Sequence, residues 1–271
     1  PFSATATYGL NVFEGLRAYW RPEMLGHALA FAELHLQRLL ESAKILGIQH
    51  PYGLRSLKEH LLALVKVAPP EDVVIRMTLM LVGSPGESWN TDVEANLAIR
   101  FFSSPSRLSE RRQVSAMTSS WRRPGLSAIP MSVKSGANYL NSRYAFLQAR
   151  SCGADMPLLL DDNSYVVEGA GANLVCRKDR EIYLCPPELP VLRGITHNHI
   201  RSSALACGNY SVLERPMTLP ELYICDEVLL VGTTAEVVSV VEIDGRRIGE
   251  HADASLSDFA RQALREAVQS S

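Results

Sequence analysis

Only one of the chain's lysines lies where an amine could do covalent chemistry. Five of the 27 Lys and Arg residues are lysines; Lys44, Lys58 and Lys66 lie in or at the end of predicted helices, and Lys178 lies in a charged turn. Lys134 instead stands between an apolar stretch that contains a proline and a turn of small residues that opens a helix. An amine partly removed from water at such a turn is a nucleophile toward a carbonyl group. A solvated surface lysine is the alternative interpretation.

A single acidic residue, Glu168, ends an apolar run and is followed by four small residues at 169–172. A carboxylate in that position needs a cationic or protonated partner. Small side chains beside it allow a flat ligand to approach the backbone. A cap on a tight turn explains the same residues equally well.

Two further segments combine backbone N–H groups with hydroxyls. Gly194, Ile195 and Thr196 open a predicted helix, and residues 232–235 follow an apolar strand. N–H groups in such turns commonly hold a phosphate monoester, although Gly-Thr is also an ordinary helix start. An amine for an aldehyde, a carboxylate for a pyridinium nitrogen and two phosphate-binding turns together indicate pyridoxal phosphate.

Composition and charge exclude several other classes of function. The chain has 271 residues, is 46% hydrophobic and carries a formal net charge of −2, which indicates a globular protein and excludes disorder. The balanced charge removes the basis for non-specific binding to nucleic acid or acidic lipid, and no apolar run approaches the roughly 20 residues that span a bilayer. Five scattered cysteines indicate reduced thiols, and His197 and His199 point to different faces of a helix. We therefore predict a cytoplasmic protein with no metal site and no membrane or nucleic-acid partner.

The elements that must position the chemical groups are helices and strands mixed without strict alternation, which favours a mixed α/β (α+β) fold over a doubly wound sheet. Residues 12–20 are predicted as a strand that Glu14 interrupts, and Ser56, with Glu59 three residues later, is predicted to cap a helix. Helices are predicted over residues 31–47, 56–67, 139–150, 196–207 and 256–268. Strands are predicted over residues 12–20, 73–83, 95–102, 113–120, 157–160, 165–168, 173–177, 181–185, 227–232 and 236–243.

A polar, charged segment around Pro105, at 103–112, is the best candidate for an interdomain linker. It predicts a small N-terminal α/β domain over residues 1–102 and a large C-terminal domain over residues 113–271 that carries Lys134. Because the chain begins at Pro1 without a methionine, we expect a short stretch to precede it.

Six motifs resemble those of the class IV, fold-type IV pyridoxal-phosphate enzymes, in the same order and with similar spacing. They are YGLNVFEGLR at 8–17, HLQRL at 35–39, KSGANY at 134–139, EGAG at 168–171, GIT at 194–196 and GTTAE at 232–236. Within that class the chain is most similar to branched-chain amino acid aminotransferases, over essentially its whole length. The resemblance implies two mixed α/β domains with the active site between them, pyridoxal 5'-phosphate as cofactor, and a homodimer or higher homo-oligomer.

The resemblance also implies roles for individual residues at the cofactor. Lys134 would bind the cofactor aldehyde and afterwards move a proton between the substrate α-carbon and the cofactor. Glu168 would keep the pyridine nitrogen protonated, and Tyr139 would contact the cofactor oxygen. The residues implied to bind the phosphate are Arg38, Ile195, Thr196 and Thr233.

A second set of residues is implied to bind the substrate. Tyr8, from the partner subunit, would line the side-chain pocket together with Phe13, Gly15 and Arg17. Arg76 matches an arginine that recognises the second carboxylate of glutamate. The remaining implied positions are Trp121, in a stretch that also resembles these enzymes, and Thr234 and Ala235, where the family binds the substrate carboxylate.

The chain departs from the family pattern in ways that bear on the substrate. Val74 stands where branched-chain enzymes usually have tyrosine. Ala172 stands where many bacterial members have glutamate, so that Arg17 lacks a carboxylate that could neutralise it and could instead meet an anionic or polar substrate. The one or two strands that normally precede the tyrosine motif are absent or short.

The sequence therefore predicts a pyridoxal-phosphate-dependent enzyme that moves the amino group of an L-amino acid, most similar to the branched-chain type, to 2-oxoglutarate by a ping-pong mechanism. Its small-molecule partners would be an amino acid and a 2-oxo acid. Three enzymatic alternatives remain open: a class IV transaminase of secondary metabolism acting on a non-branched or β-amino acid, a D-amino acid or (R)-amine transaminase, and aminodeoxychorismate lyase. A non-catalytic scaffold is disfavoured because Lys134, Glu168 and Arg38 are all retained.

Overall fold

The chain forms two compact units in a computed structural model that describes residues 3–82, 95–249 and 253–271. The first unit comprises Pro1–Ser106, Val133–Asn138 and Ala267–Ser271, and the second comprises Arg107–Ser132 and Tyr139–Glu266. The segment that carries Lys134 thus groups with the first unit. The domain limits predicted from the sequence otherwise stay a prediction.

The first unit is built on an antiparallel sheet that two helices cover. The strands are β1 (Asn11–Arg21), β2 (Gly26–Ala28), β3 (Val73–Leu81) and β4 (Ala95–Ser103), in the order β2-β1-β3-β4. The helices are α1 (Ala4–Tyr8), α2 (Ala32–Ile45) and α3 (Leu54–Val65), with a 3-10 turn at Pro22–Met24. The strand predicted over residues 73–83 ends at Leu81, and residue 83 lies outside the described residues.

The core of this unit follows from the apolar pattern of β1, β3, α2 and α3. Leu16 lies opposite Ile75 in the strand register, and both side chains are fully buried. Leu36 and Leu39 of α2 and Leu61 of α3 belong to the same buried cluster. Each such side chain contributes roughly 2 kcal/mol by leaving water. This packing fixes β1 against α2, which positions the charged residues described below.

The predicted cap of α3 was wrong. The helix begins at Leu54 after Gly53, so that Ser56 occupies its third position. The Ser56 hydroxyl accepts a hydrogen bond from the Gly53 N–H at 3.0 Å. The serine therefore satisfies an N-terminal backbone group from inside the helix, as the third residue of a capping box does.

The second unit contains most of the strands. They are β5 (Gln113–Thr118), β6 (Met156–Leu160), β7 (Tyr165–Gly169), β8 (Asn173–Lys178), β9 (Glu181–Leu184), β10 (Ser211–Glu214), β11 (Met217–Thr218), β12 (Glu227–Gly232), β13 (Glu236–Ile243) and β14 (Arg246–Arg247). The helices that lie wholly or mostly in this unit are α4 (Asn138–Ser151), α5 (Ile195–Cys207), α6 (Leu219–Tyr223) and α7 (Ser255–Gln269).

Six strands of this unit form a closed ring in the order β8-β12-β13-β5-β6-β7. Among the described residues the sheet runs β10-β9-β8-β12-β13-β5-β6-β7-β11, and β7 also pairs with β8. The pair that joins β7 to β8 is Glu168 with Asn173. Closing a sheet in this way leaves fewer exposed strand edges and encloses a core that includes Leu158, Leu174 and Leu230.

The mixed α/β fold class predicted from the sequence is confirmed, whereas several short elements were missed. These are α1, β2, β10, β11, α6 and β14, of two to five residues each. Such short segments carry too few residues to show a period, and their neighbours in the fold decide their conformation. In the parts of the chain that the structure describes, no helix is both long and apolar enough to cross a membrane.

Candidate functional site

The segment around Lys134 is held by the backbone of the first unit. The Lys134 carbonyl accepts from the Phe13 N–H at 3.0 Å, and its N–H donates to Ser42 Oγ at 3.3 Å. Val133 and Ser135 on either side are buried, while Lys134 itself is half-buried. Lys134 is therefore half-buried, in line with one of the two interpretations of the sequence, on a segment that hydrogen bonds from β1 and to α2 hold.

Two glycine motifs that lie far apart in the sequence meet at this segment. Gly136 donates its N–H to Asn11 Oδ1 at 3.2 Å, and a Cβ at Gly136 would lie 2.8 Å from the Asn11 side chain. Gly9 has a left-handed φ of +69°, and a Cβ there would lie 3.2 Å from that of Ala137. The segment at Gly9–Asn11 can therefore approach the segment at Gly136–Ala137 this closely only because both Gly9 and Gly136 lack a side chain.

Two cations face the ring of Phe13 on β1. The Lys134 Nζ lies 5.1 Å and the Arg76 Cζ lies 4.7 Å from the ring centroid, which are distances of cation–π contact. Gly15 lies opposite Arg76 in the strand register. The structure therefore brings together four of the residues that the sequence singled out.

Arg38 lies in a buried ionic triad that the sequence did not reveal. Its Nε and Nη2 donate to the two carboxylate oxygens of Glu14 at 2.6 and 2.9 Å, and His35 Nδ1 lies 2.7 Å from Glu14 Oε2. Glu14 and His35 are fully buried. Burial by itself raises the pKa of Glu14, but the Arg38 charge and the hydrogen bonds from His35 and Arg38 outweigh it and lower the pKa to about 2.

The same triad fixes the charge state of His35. Burial lowers the pKa of His35, and the nearby Arg38 and Lys134 charges lower it further against the opposing effect of Glu14. The neutral imidazole then donates a hydrogen bond from its Nδ1–H to the carboxylate. The only sequence signal for this triad was an acidic residue inside an apolar strand, because a buried carboxylate must be paired.

Arg17 and Tyr8, both expected at the substrate, differ in exposure. Arg17 is buried, and its guanidinium donates to the carbonyl and hydroxyl oxygens of Ser104 at 2.8 and 3.2 Å. Val74, one of the departures from the family pattern, lies opposite Arg17 in the register and is also buried. Tyr8 ends α1 with 46% of its surface exposed. The roles of Arg17 and Tyr8 at a substrate stay a prediction.

In the second unit, Glu168 is buried and held from two sides. Arg123 Nη2 lies 3.0 Å from Glu168 Oε1, and Asn173 Nδ2 donates to Oε2 at 3.2 Å. Arg123 is itself buried, and its Nη1 donates to Asn141 Oδ1 and Ser142 Oγ of α4 at 2.9 Å each. The carboxylate thus has the cationic partner that its position demanded, and the sequence had not identified Arg123 or Asn173.

The start of α5 offers backbone N–H groups, as the sequence predicted. Gly194 is the N-cap residue without a side-chain cap, Ile195 is half-buried and Thr196 is buried. The first N–H groups of a helix have no partner within it and carry its partial positive charge. This end of α5 is therefore suited to an anion.

The second predicted phosphate-binding turn connects β12 to β13. Gly232 pairs with Glu236, so that Thr233, Thr234 and Ala235 form the turn between them. Glu236 has a left-handed φ of +56°, and its carboxylate accepts from the Arg107 N–H at 2.7 Å. A non-glycine residue in that conformation is strained, and this partly buried hydrogen bond helps to hold the turn.

Two aromatic residues predicted near the ligand lie in the second unit. Tyr139 is half-buried, and its Cε1 would lie 4.0 Å from a Cβ at Gly171. Trp121 is 46% exposed and stacks on Tyr144 with ring centroids 4.8 Å apart. Tyr139 therefore lies beside the small-residue turn that follows Glu168, while Trp121 packs against α4.

His197, in the first turn of α5, makes the stability of the protein depend on pH. Burial lowers its pKa from 6.5 to about 4. The folded protein therefore does not bind the proton that the unfolded chain binds below pH 6.5, and stability falls by up to about 3 kcal/mol between pH 6.5 and 4. We expect the free energy of unfolding of His197→Leu, measured in urea, to change less between pH 6.5 and 4 than that of the parent. His60→Leu, which replaces an exposed histidine, is the control. An unchanged pH slope in His197→Leu would contradict this.

Comparisons with known proteins match the chain over most of its length. The family model described as amino-transferase class IV matches residues 11–243. The branched-chain-amino-acid aminotransferase of Pseudomonas aeruginosa is 35% identical over 249 residues, which cover 90% of this chain and 80% of that protein. The crystal structure of a branched-chain aminotransferase from Thermoproteus uzoniensis with norvaline has a TM-score of 0.91 at 33% identity, covering 99% of this chain and 89% of that one.

A further solved structure concerns the cofactor. A branched-chain amino acid aminotransferase from T.th., complexed with N-(5'-phosphopyridoxyl)-L-glutamate, has a TM-score of 0.89 at 31% identity and covers 99% of this chain and 88% of that one. These similarities confirm the resemblance that the sequence motifs indicated and the fold-type IV architecture that it implied.

Proposed function

Because this chain belongs to the class IV aminotransferases, we propose that it transfers the amino group of a branched-chain L-amino acid to 2-oxoglutarate by a ping-pong mechanism. It is an enzyme, and class IV aminotransferases use pyridoxal 5'-phosphate. The choice of a branched-chain donor is supported by the identity to a branched-chain aminotransferase over 90% of the chain. The choice of 2-oxoglutarate is supported by the phosphopyridoxyl-glutamate derivative bound to the T.th. enzyme.

The side chains present match the functional groups of pyridoxal phosphate. The observation that carries this assignment is the buried carboxylate of Glu168, which pairs with Arg123 and accepts a hydrogen bond from Asn173. A buried, ionised carboxylate is the group that keeps a pyridine nitrogen protonated. The half-buried amine of Lys134 suits the aldehyde. The phosphate would be held by the start of α5 at Ile195 and Thr196, by Arg38 and by Thr233, with Tyr139 at the ring oxygen.

Bound pyridoxal phosphate supplies an electron sink that stabilises negative charge at the substrate α-carbon. The protein residues provide binding and proton transfer. In our proposal the Lys134 Nζ removes the α-proton of the amino donor and, in the second half-reaction, delivers a proton to the α-carbon derived from 2-oxoglutarate. The amine needs the steady position that the Phe13 and Ser42 hydrogen bonds give its backbone. Arg123, paired with Glu168 at 3.0 Å, holds the carboxylate in place.

Substrate recognition is assigned to the remaining predicted residues. Arg76 would bind the second carboxylate of glutamate and 2-oxoglutarate, and Thr234 with Ala235 would bind the carboxylate common to all substrates. Phe13, Gly15 and Arg17 would contact the side chain, with Trp121 nearby. We further propose a cytoplasmic homodimer in which Tyr8 acts at the partner's substrate.

The proposal is tested by visible absorbance of the purified protein with pyridoxal phosphate. We expect a band of bound cofactor that bleaches when L-Val, L-Ile or L-Leu is added without an acceptor, with one equivalent of 2-oxo acid released per site, as a ping-pong mechanism requires. Addition of 2-oxoglutarate should restore the band. A protein that stays colourless after incubation with the cofactor would rule out the proposal.

A donor panel separates the alternatives. D-Ala, a β-amino acid and (R)-phenylethylamine should each give a kcat/KM at least about tenfold below that of the branched-chain donors. The buried Val74 and Ala172, which replace residues usual in the family, favour one second candidate, a transaminase for a non-branched or β-amino acid. A preference for the β-amino acid would establish that candidate instead. Release of pyruvate from aminodeoxychorismate would indicate the lyase.

A further inference from the structure

We propose that Asn173 is a positioning residue that joins the carboxylate of Glu168 to the start of α5. The inference rests on the proposed function, in which Glu168 meets the pyridine nitrogen of the cofactor and the start of α5 meets its phosphate. Asn173 would then position both Glu168, which meets the pyridine nitrogen, and the start of α5, which meets the phosphate. The atoms that support this all lie in the second unit.

The side-chain amide of Asn173 bridges the two elements directly. Its Nδ2 donates to Glu168 Oε2 at 3.2 Å and to the Leu192 carbonyl at 2.8 Å, two residues before the N-cap of α5. Both protons of the amide nitrogen are therefore in use. The opposite orientation of the amide would turn its oxygen toward a carboxylate and a carbonyl, which both repel it, so the hydrogen bonds determine the orientation.

The strand register places Asn173 where it can reach Glu168. The two residues are opposite each other in the pair that joins β7 to β8. The Gly169 N–H donates to the Ala172 carbonyl at 2.9 Å and closes the turn between them. Because this short turn allows little freedom, a displacement of the Asn173 side chain is transmitted to the carboxylate. Asn173 is also buried, so water cannot readily replace its hydrogen bonds.

The glycine at the N-cap of α5 provides the second observation. A Cβ at Gly194 would lie 1.8 Å from Asn173 Oδ1 and 2.9 Å from its Cγ. The φ of Gly194 is −72°, which any residue adopts, so backbone conformation does not require glycine here. Gly194 is needed because the Asn173 amide occupies the space that a side chain would fill. The start of α5 and the amide are thus packed against each other.

Variants of Arg123 and Thr196 distinguish effects at the pyridine end of the cofactor from effects at its phosphate end. Arg123 contacts Glu168, Gly169 and α4, which places it at the pyridine end. Thr196 lies in the first turn of α5 and is buried there. Arg123→Met should therefore affect the pyridine end, Thr196→Val the phosphate end, and Asn173→Ala both.

The experiment measures binding of three compounds to the apoprotein, and so does not depend on turnover. They are pyridoxal phosphate, its 1-deaza analogue with carbon in place of the ring nitrogen, and pyridoxal, which lacks the phosphate. The Kd ratio of deaza analogue to pyridoxal phosphate defines the nitrogen preference, and the ratio of pyridoxal to pyridoxal phosphate defines the phosphate preference. We expect Asn173→Ala to lower both preferences about tenfold, as loss of a supporting partner typically does.

The comparison variants should each change one ratio. Arg123→Met should lower only the nitrogen preference, and Thr196→Val only the phosphate preference. Arg177→Met removes a buried arginine that pairs with Glu227 in the same unit and is the matched control for general destabilisation; both ratios should stay unchanged. An Asn173→Ala protein that binds all three compounds more weakly by the same factor would show a merely structural role and overturn the inference.

A double-variant cycle tests the packing of Asn173 against Gly194, and its single variant Gly194→Ala serves alone if Asn173→Ala folds poorly. Gly194→Ala should displace the amide and lower both preferences. The same change in the Asn173→Ala background should have a much smaller effect, because only the 3.2 Å contact of the new Cβ with His197 Cβ remains. Equal effects in the two backgrounds would overturn the inference.

If the unaltered apoprotein binds none of the compounds, the proposed function itself fails; if it prefers pyridoxal phosphate and Asn173→Ala keeps that preference, only the role of Asn173 fails.

Discussion

Replacing Lys134 by alanine is expected to abolish amino transfer, with a loss of kcat of about 10⁴-fold or more. The other lysines of the first unit, Lys44, Lys58 and Lys66, are all exposed, so none of them is placed to take over its role. The bleaching of the visible band by L-Val should disappear together with turnover. Stopped-flow absorbance and a coupled 2-oxo acid assay measure the two effects.

The control for this prediction is Lys44→Ala, which removes an exposed amine from α2 and should leave both the band and the rate unchanged. The Lys134 backbone hydrogen bonds to Phe13 and Ser42 do not involve the side chain, so Lys134→Ala should keep the thermal stability of the parent. Turnover that survives in Lys134→Ala would show that another residue supplies the amine.

Replacing Glu14 by glutamine is expected to lower the free energy of unfolding at pH 7 by about 3 kcal/mol, because one partner of a buried ion pair is lost and the charge of Arg38 remains. Glutamine keeps the volume of the side chain, so the effect is electrostatic and not that of a cavity. Urea unfolding of the two proteins measures the difference.

The pH dependence of that difference identifies its origin. The pKa of Glu14 is about 2 in the folded protein against an ordinary 4.5, so the carboxylate stabilises the fold fully above pH 4.5. That contribution is lost as pH falls from 4.5 toward 2, where the folded carboxylate takes up a proton as well. The stability gap between the parent and Glu14→Gln should therefore shrink over this range.

The matched control for Glu14 is Glu59, whose ion pair with Arg55 at 3.1 Å is exposed on both sides. Water and salt screen such a pair, so Glu59→Gln should change stability little. A Glu14→Gln protein as stable as Glu59→Gln at neutral pH, or a gap that does not narrow in acid, would refute the importance of the triad. Raising the salt concentration should leave the Glu14 effect in place.

Residue type and local context singled out Lys134 and Glu168 as candidates, with a surface lysine and a turn cap as the alternatives, and their roles stay a prediction. Each is a charged group inserted into a stretch of apolar and small residues, and such a group is unusual enough to stand out without knowledge of the fold. The long helices and most strands were also predicted, because periods of 3.6 and 2 residues are local properties. The N-terminus of α5 followed from Gly194 and Thr196 in the same way.

The partners of these groups could not be predicted, because they come from distant parts of the chain. Glu14 looked like an interruption of a strand until β1 packed against α2 and brought His35 and Arg38 to it. Arg123 was one of two adjacent arginines in a polar segment, and nothing local distinguishes the one that pairs with Glu168. Ser56 was assigned as a cap because Glu59 follows it at the spacing of a capping box, whereas in the fold Ser56 is the third residue of a box that begins at Gly53.

The sequence by itself determined which chemical groups this protein carries and the elements that hold them, since both depend on residue identity and short-range period. The tertiary structure decided which groups are paired and therefore charged, buried or fixed. Gly194 shows the difference: the sequence marks it as an ordinary helix start, while the fold requires glycine there because the amide of Asn173, 21 residues earlier, occupies the space. Contacts of that kind depend on strand register and packing, which only the folded chain establishes.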